Sequence, residues 1–243
     1  MEALWGTIVN VLAIIAGSLA GVILPRIPGS MRVVIMQGIG LATVVLGLSM
    51  GLKSDNFLFV IISLVIGGVI GEILKLDLML EAAGQRLERA VKKITPNNKQ
   101  KKNNIAEGFV TATLVFCVGV MAILGSIESG LKGDHTILYT KSMLDGISSI
   151  VFASTLGIGV IFSAVPLLLY QGSIALGAKF ITSFMSASEL NAVITGIGAV
   201  GGILIVGIGI NLLRIKKINV VNLLPSVFVI AGLALLNERF GFL

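Results

Sequence analysis

The chain has 243 residues, of which 56% are hydrophobic and only 12% charged, with a formal net charge of +6. A soluble domain carries about 25% charged residues. That shortfall excludes an ordinary globular enzyme, a disordered protein and a nucleic-acid-binding domain, despite a pI near 9.6. One cysteine and one histidine leave neither a disulfide framework nor any common zinc ligand set, so no metal or cofactor is expected. With 30 glycines and a mean hydropathy of +1.03, the sequence reads as a polytopic membrane protein.

A helix needs about 20 apolar residues to cross the hydrocarbon core. Such runs occupy 4–24, 33–52, 57–75, 107–127, 142–162, 164–182, 192–213 and 220–237, so residues 1–243 form one all-α transmembrane bundle. The stretch from Ser142 to Lys179 is too long for one crossing, and Pro166 is its expected break. Two crossings there give eight spans; one crossing with a re-entrant piece gives seven.

Basic loops stay in the cytoplasm. The largest runs from Lys75 to Lys102 and holds Arg86, Arg89, Lys92, Lys93, Lys99 and Lys101. With it inside, eight spans leave only Lys53, Lys132, Lys141, Lys179 and Arg239 outside, and both termini face out. Seven spans would expose Arg214, Lys216 and Lys217 in a short outer loop. Residues 76–104 divide in two. Leu76, Leu80, Ala83, Leu87, Val91 and Ile94 line one face of an amphipathic helix on the inner bilayer surface. Thr95-Pro96 ends it, and a polar linker follows.

Small-xxx-small pairs at Gly17/Gly21 and Gly67/Gly71 mark close helix packing, some of it with a second subunit in a homo-oligomer. Glu107-Gly108-Phe109-Val110-Thr111 and Asp145-Gly146-Ile147-Ser148-Ser149 each open a segment, with Gly119 and Gly157, two further expected helix-packing positions, twelve residues after the respective acids. These two segments run in opposite directions, as an inverted helix pair would. Gly196-Ile197-Gly198-Ala199-Val200-Gly201 matches a dinucleotide fingerprint, but it lies inside an apolar helix with no strand before it.

Polar groups within spans usually face the bundle interior or a water-filled cavity. Here they are Asn10, Gln37, Glu72, Glu107, Cys117, Asp145, Gln171, Asn211 and Asn222. Asn211 and Asn222 flank the Arg214–Lys217 turn and serve helix ends; Glu72 is interfacial. Asp145 leads as a path residue, with Lys141 one turn before it as a partner. Glu107, Gln37, Gln171, Thr111, Ser148 and Ser149 follow. Acids among small hydroxyl residues suit a hydrated cation or a proton, whereas a plain role at helix N-termini needs only the macrodipole. No nucleophile–base or metal constellation exists, so an enzyme is not expected. A small transporter or channel is the favoured reading, and a non-transporting sensor or scaffold the alternative.

The strings Trp5-Gly6-Thr7-Ile8-Val9-Asn10, Met36-Gln37-Gly38-Ile39-Gly40, Phe116-Cys117-Val118-Gly119-Val120-Met121 and Lys141-Ser142-Met143-Leu144-Asp145-Gly146, with the Glu107 string above, carry a resemblance. The chain resembles the bacterial inner-membrane family known as domain of unknown function 554, the YqgA/YdfK-like proteins, over essentially its whole length. The resemblance implies a cytoplasmic-membrane protein often regarded as a transporter, and it supplies no substrate and no catalytic residue.

Overall fold

A computed structural model describes residues 2–23, 29–54, 56–94, 105–117 and 119–241. Among these the backbone is helical and without strands, as lipid requires: helices satisfy every amide internally where no water is available. After a 3-10 turn at Glu2–Leu4 come α1 (Trp5–Ile23), α2 (Gly29–Gly51), α3 (Phe57–Leu74), α4 (Leu76–Ile94), α5 (Ile105–Cys117) and α6 (Val120–Lys132). Then follow α7 (Thr136–Leu156), a 3-10 segment (Ile158–Ser163), α8 (Ala164–Ser183), α9 (Ala187–Leu212), α10 (Val220–Leu223) and α11 (Ser226–Phe240). Six helical segments are long and apolar enough to cross a membrane: 2–23, 33–51, 57–74, 158–183, 187–212 and 220–240. The α5–α6 pair, bent by 59° at its break, would make a seventh. The eighth expected segment, α7, forms as a 21-residue helix that Lys141, Asp145 and its many hydroxyl residues leave too polar to join them.

The break expected at Pro166 lies elsewhere. Pro166 sits in the first turn of α8, where a missing N–H costs nothing because those donors have no intrahelical acceptor. The chain turns instead at Gly157, whose φ of 88° lies in the region that favours glycine. Gly119 likewise serves as the extended N-cap of α6. Gly119 and Gly157 therefore break helices rather than pack them, and neither has a neighbour within reach of an added Cβ. Lys75, in the left-handed region at φ 52°, ends α3 and starts α4 across one residue.

Glycine contacts set the helix directions. Along α1 and α7, Gly6 meets Leu138, Gly17 meets Gly146 and Ser149, and Gly21 meets Ile150 and Ala153. Both numbers rise together, so the two helices are parallel. In α2 and α9, Gly40 meets Gly209, Gly47 meets Gly202 and Gly51 meets Ala199, which makes them antiparallel. The α3–α11 pair is also antiparallel, with Gly67 against Ser226 and Gly71 against Asn222. Thus Gly17, Gly21, Gly67 and Gly71 lie against helices of the same subunit. Covered by their own chain, they offer no face to another copy. Between these pairs lies a core in which Ile14, Val60, Phe116, Leu167 and Leu204 have no exposed surface.

The amphipathic helix is present as α4. Gly84 is buried against Ala106 of α5, while Arg86 and Arg89 are exposed. The expected stop at Thr95-Pro96, the linker to Asn104 and Arg26 lie outside the described residues.

Candidate functional site

Hydrocarbon makes an unpaired charge costly, so an acid and a base inside a bundle are expected to find each other. Lys141 and Asp145 are one turn apart on α7 and form an ion pair, with only 6% and 8% of their surfaces exposed. The apolar run alone places Lys141 in an outer loop, but it lies within the helix because α7 begins at Thr136. For the same reason Asp145 sits mid-helix rather than in a first turn, which removes the macrodipole as its explanation.

Two amides complete the cluster. Asn10 on α1 donates through Nδ2 to Asp145 Oδ2 at 3.1 Å and to Gln171 Oε1 on α8 at 3.4 Å. Asn10 and Gln171 are both fully buried. Each keeps one polar atom unpaired, Oδ1 of Asn10 and Nε2 of Gln171, and Thr7 Oγ1 one turn away on α1 is unpaired too. A buried polar group without a partner costs about 1–3 kcal/mol, and Asn10, Gln171 and Thr7 each carry such a cost beside the ion pair. The break between α5 and α6 follows Cys117, which packs against the apolar core; discontinuous helices are where many transporters hold their solutes.

Of the expected path residues, Asp145 and Gln171 meet here. The others do not. Gln37 is exposed on α2, and Glu107 is exposed in the first turn of α5. Ser149 donates to Gly146 O at 2.7 Å on its own helix; Thr111 and Ser148 are half-buried. Since Glu107 stands at a helix end and Asp145 mid-helix, the two acid motifs are not placed as structural equivalents. On sequence Asn10 is only one polar residue of a span. The Lys141-xxx-Asp145 spacing was the signal that pointed to this turn of α7.

The remaining span polar groups hold helix ends together. Asn222 donates to Glu72 Oε2 at 2.8 Å and accepts from the Asp77 N–H at 2.8 Å. Asn219 donates to Asp77 at 3.0 Å and holds its carboxyl below the usual range. Asn211 brackets the Arg214 turn through the N–H and C=O of Ile218, at 2.7 and 2.8 Å. At the far ends of α9 and α11, Arg239 bonds Glu189 at 2.6 Å and the Phe184 carbonyl at 2.9 Å.

Buried charge, amides and broken helices inside an apolar bundle define a polytopic membrane protein with an intramembrane polar site. Residues 5–235 match the family described as "Protein of unknown function (DUF554)", and the chain belongs to that family. It is 40% identical to the "Uncharacterized membrane protein YdfK" of Bacillus subtilis, covering 98% of this chain and 99% of that one. It is 31% identical to the "Uncharacterized protein YqgA" of Escherichia coli, over 91% and 92% of the two chains. No solved structure matches.

Proposed function

We propose that this protein moves a small solute or ion across the bacterial cytoplasmic membrane through the polar site where α1, α7 and α8 meet. The buried Lys141–Asp145 pair, flanked by amides with unpaired atoms, is the observation that carries the reading, because intramembrane charges of this kind mark solute paths. The protein acts as a carrier or channel and not as an enzyme. It has eight crossings, with α7 as a polar one and α5–α6 as a broken one; both termini face out and α4 lies on the inner surface. The parallel course of α1 and α7 supports α5–α6 as the fourth crossing, since first and fifth crossings must share a direction. A homodimer would use the outward face of α2, where Gln37 is exposed and Gly38 has open space.

The test is flux into proteoliposomes with a panel of ions and small metabolites. Asp145→Asn keeps size and hydrogen bonding but removes the charge. It is expected to abolish flux at an unchanged membrane level, while Glu107→Gln, at the inner mouth, weakens it. Undiminished flux in Asp145→Asn refutes the site. Silence across the panel favours the second reading, a sensor or scaffold acting through the exposed Arg86 and Arg89 of α4.

A further inference from the structure

The unpaired amides lie at a place that internal similarity picks out. Three helix pairs run antiparallel: α1 with α8, α2 with α9, and α3 with α11. For α1 and α8 this follows because Ser129 of α6 reaches Ala3 while Gly130 meets Ala175 and Ala178; the later part of α8 thus lies beside the start of α1. The pairs also correspond in sequence, in the same chain order. Gln37-Gly38-Ile39-Gly40 matches Thr195-Gly196-Ile197-Gly198, and Phe59-Val60-Ile61, with Leu64, matches Phe228-Val229-Ile230, with Leu233. The approach of Gly40 to Gly209 at one end of α2–α9 has its counterpart at the other, where Gly51 meets Ala199. Residues related by a twofold touch each other only on the axis. Asn10 of α1 and Gln171 of α8 are hydrogen-bonded to each other, which puts the crossing of these two helices on that axis. The third pair departs from the symmetry, as α11 also packs on α9 through Ile230 and Gly196.

We propose that α1–α3 and α8–α11 are inverted repeats, and that the Asn10–Gln171 crossing binds a small polar solute of no net charge. One bond between two amides leaves a donor and an acceptor unused, whichever way they are turned. Here those are Gln171 Nε2 and Asn10 Oδ1. The adjoining Lys141–Asp145 pair is already neutral, so a cation would meet the Lys141 ammonium and an anion the Asp145 carboxylate. A solute carrying both a donor and an acceptor suits all of these groups. This inference deepens the transport reading and rests on it for the movement of that solute, though not for its binding.

Equilibrium binding to the purified full-length protein separates the two. The probes are labelled glycine, which is zwitterionic, labelled urea, which is uncharged, and sodium-22. Saturable binding of glycine or urea, and not of sodium, is expected, and which of the two binds identifies the form of solute. Gln171→Leu should weaken that binding about tenfold or more without loss of folded protein, and the exchange variant Asn10→Gln/Gln171→Asn should keep it. Binding of sodium alone, of none of the probes, or undiminished binding in Gln171→Leu overturns the proposal. So does loss of binding by a folded exchange variant. Sodium flux that depends on Asp145, without binding of either neutral solute, would sink this inference and leave transport standing; binding without flux would do the reverse.

Discussion

At Asp145, charge, burial and hydrogen bonding all meet, and each can be removed separately. Replacing Lys141 by methionine leaves a buried carboxylate without its partner, a change that costs about 3–5 kcal/mol. Thermal unfolding in detergent should show Lys141→Met well below wild type, and Lys141→Met/Asp145→Leu should recover most of the loss. A double variant no better than the single one would mean that the pair is not closed in the folded protein. Gln171→Leu should have a smaller effect. It removes an unpaired buried donor, but also the acceptor of the long 3.4 Å bond from Asn10, so the gain and the loss largely offset. An unfolding temperature close to wild type is therefore expected; a marked fall would assign Gln171 to structure. At this scale the sequence was partly legible. Lys141 and Asp145 stand four apart, and that spacing alone pairs them on a helix. The partners across space, Asn10 and Gln171, are 161 residues apart, and nothing in either string joins them.

Elements meet through glycines, and the same residue type serves two opposite ends. A methyl at Gly71 would run into the Asn222 carbonyl, and one at Gly17 into the Gly146 carbonyl. Backbone does not yield as a side chain tip does, so Gly71→Ala and Gly17→Ala should each destabilise by about 1–3 kcal/mol, the range for overpacking. Gly38 and Gly232 have nothing within 4 Å of an added Cβ; alanine there should leave the unfolding temperature unchanged or slightly raised. Equal effects at all four would refute the packing described. Helix existence was legible throughout, because apolar runs of this length fold only one way in lipid. Helix ends were less so. The turn before α8 falls at Gly157 and not at Pro166 because a proline is harmless in a first turn, whereas a positive φ calls for glycine. The small-xxx-small pattern identified faces but not their partners, since one flat helix face looks like another.

Over the whole molecule, alternation of direction is the constraint that single residues cannot reveal. If α1 and α7 share a direction, an even number of crossings separates their starting points. In intact cells, with Cys117 first replaced, single cysteines at Lys53 and Lys132 should react with an impermeant thiol reagent, and those at Lys99 and Lys216 should not. Labelling at Lys99 would reverse the orientation, and labelling at Lys216 but not Lys132 would change the count. The parallel α1–α7 pair has a further bearing, on how the protein is made. Asp or Lys in the middle of a lone helix opposes membrane insertion by roughly 2.5–3.5 kcal/mol each, and α7 holds one of both. The hydrogen bond that Asp145 accepts from Asn10 is made by α1, which leaves the ribosome more than a hundred residues earlier. A helix made earlier, α1, is thus already in the bilayer as the docking partner of the least insertable one. A chain translated without residues 1–23 should insert α2 and α3 yet leave α7 outside the bilayer, open to protease, and α1 supplied as a separate peptide should restore its protection.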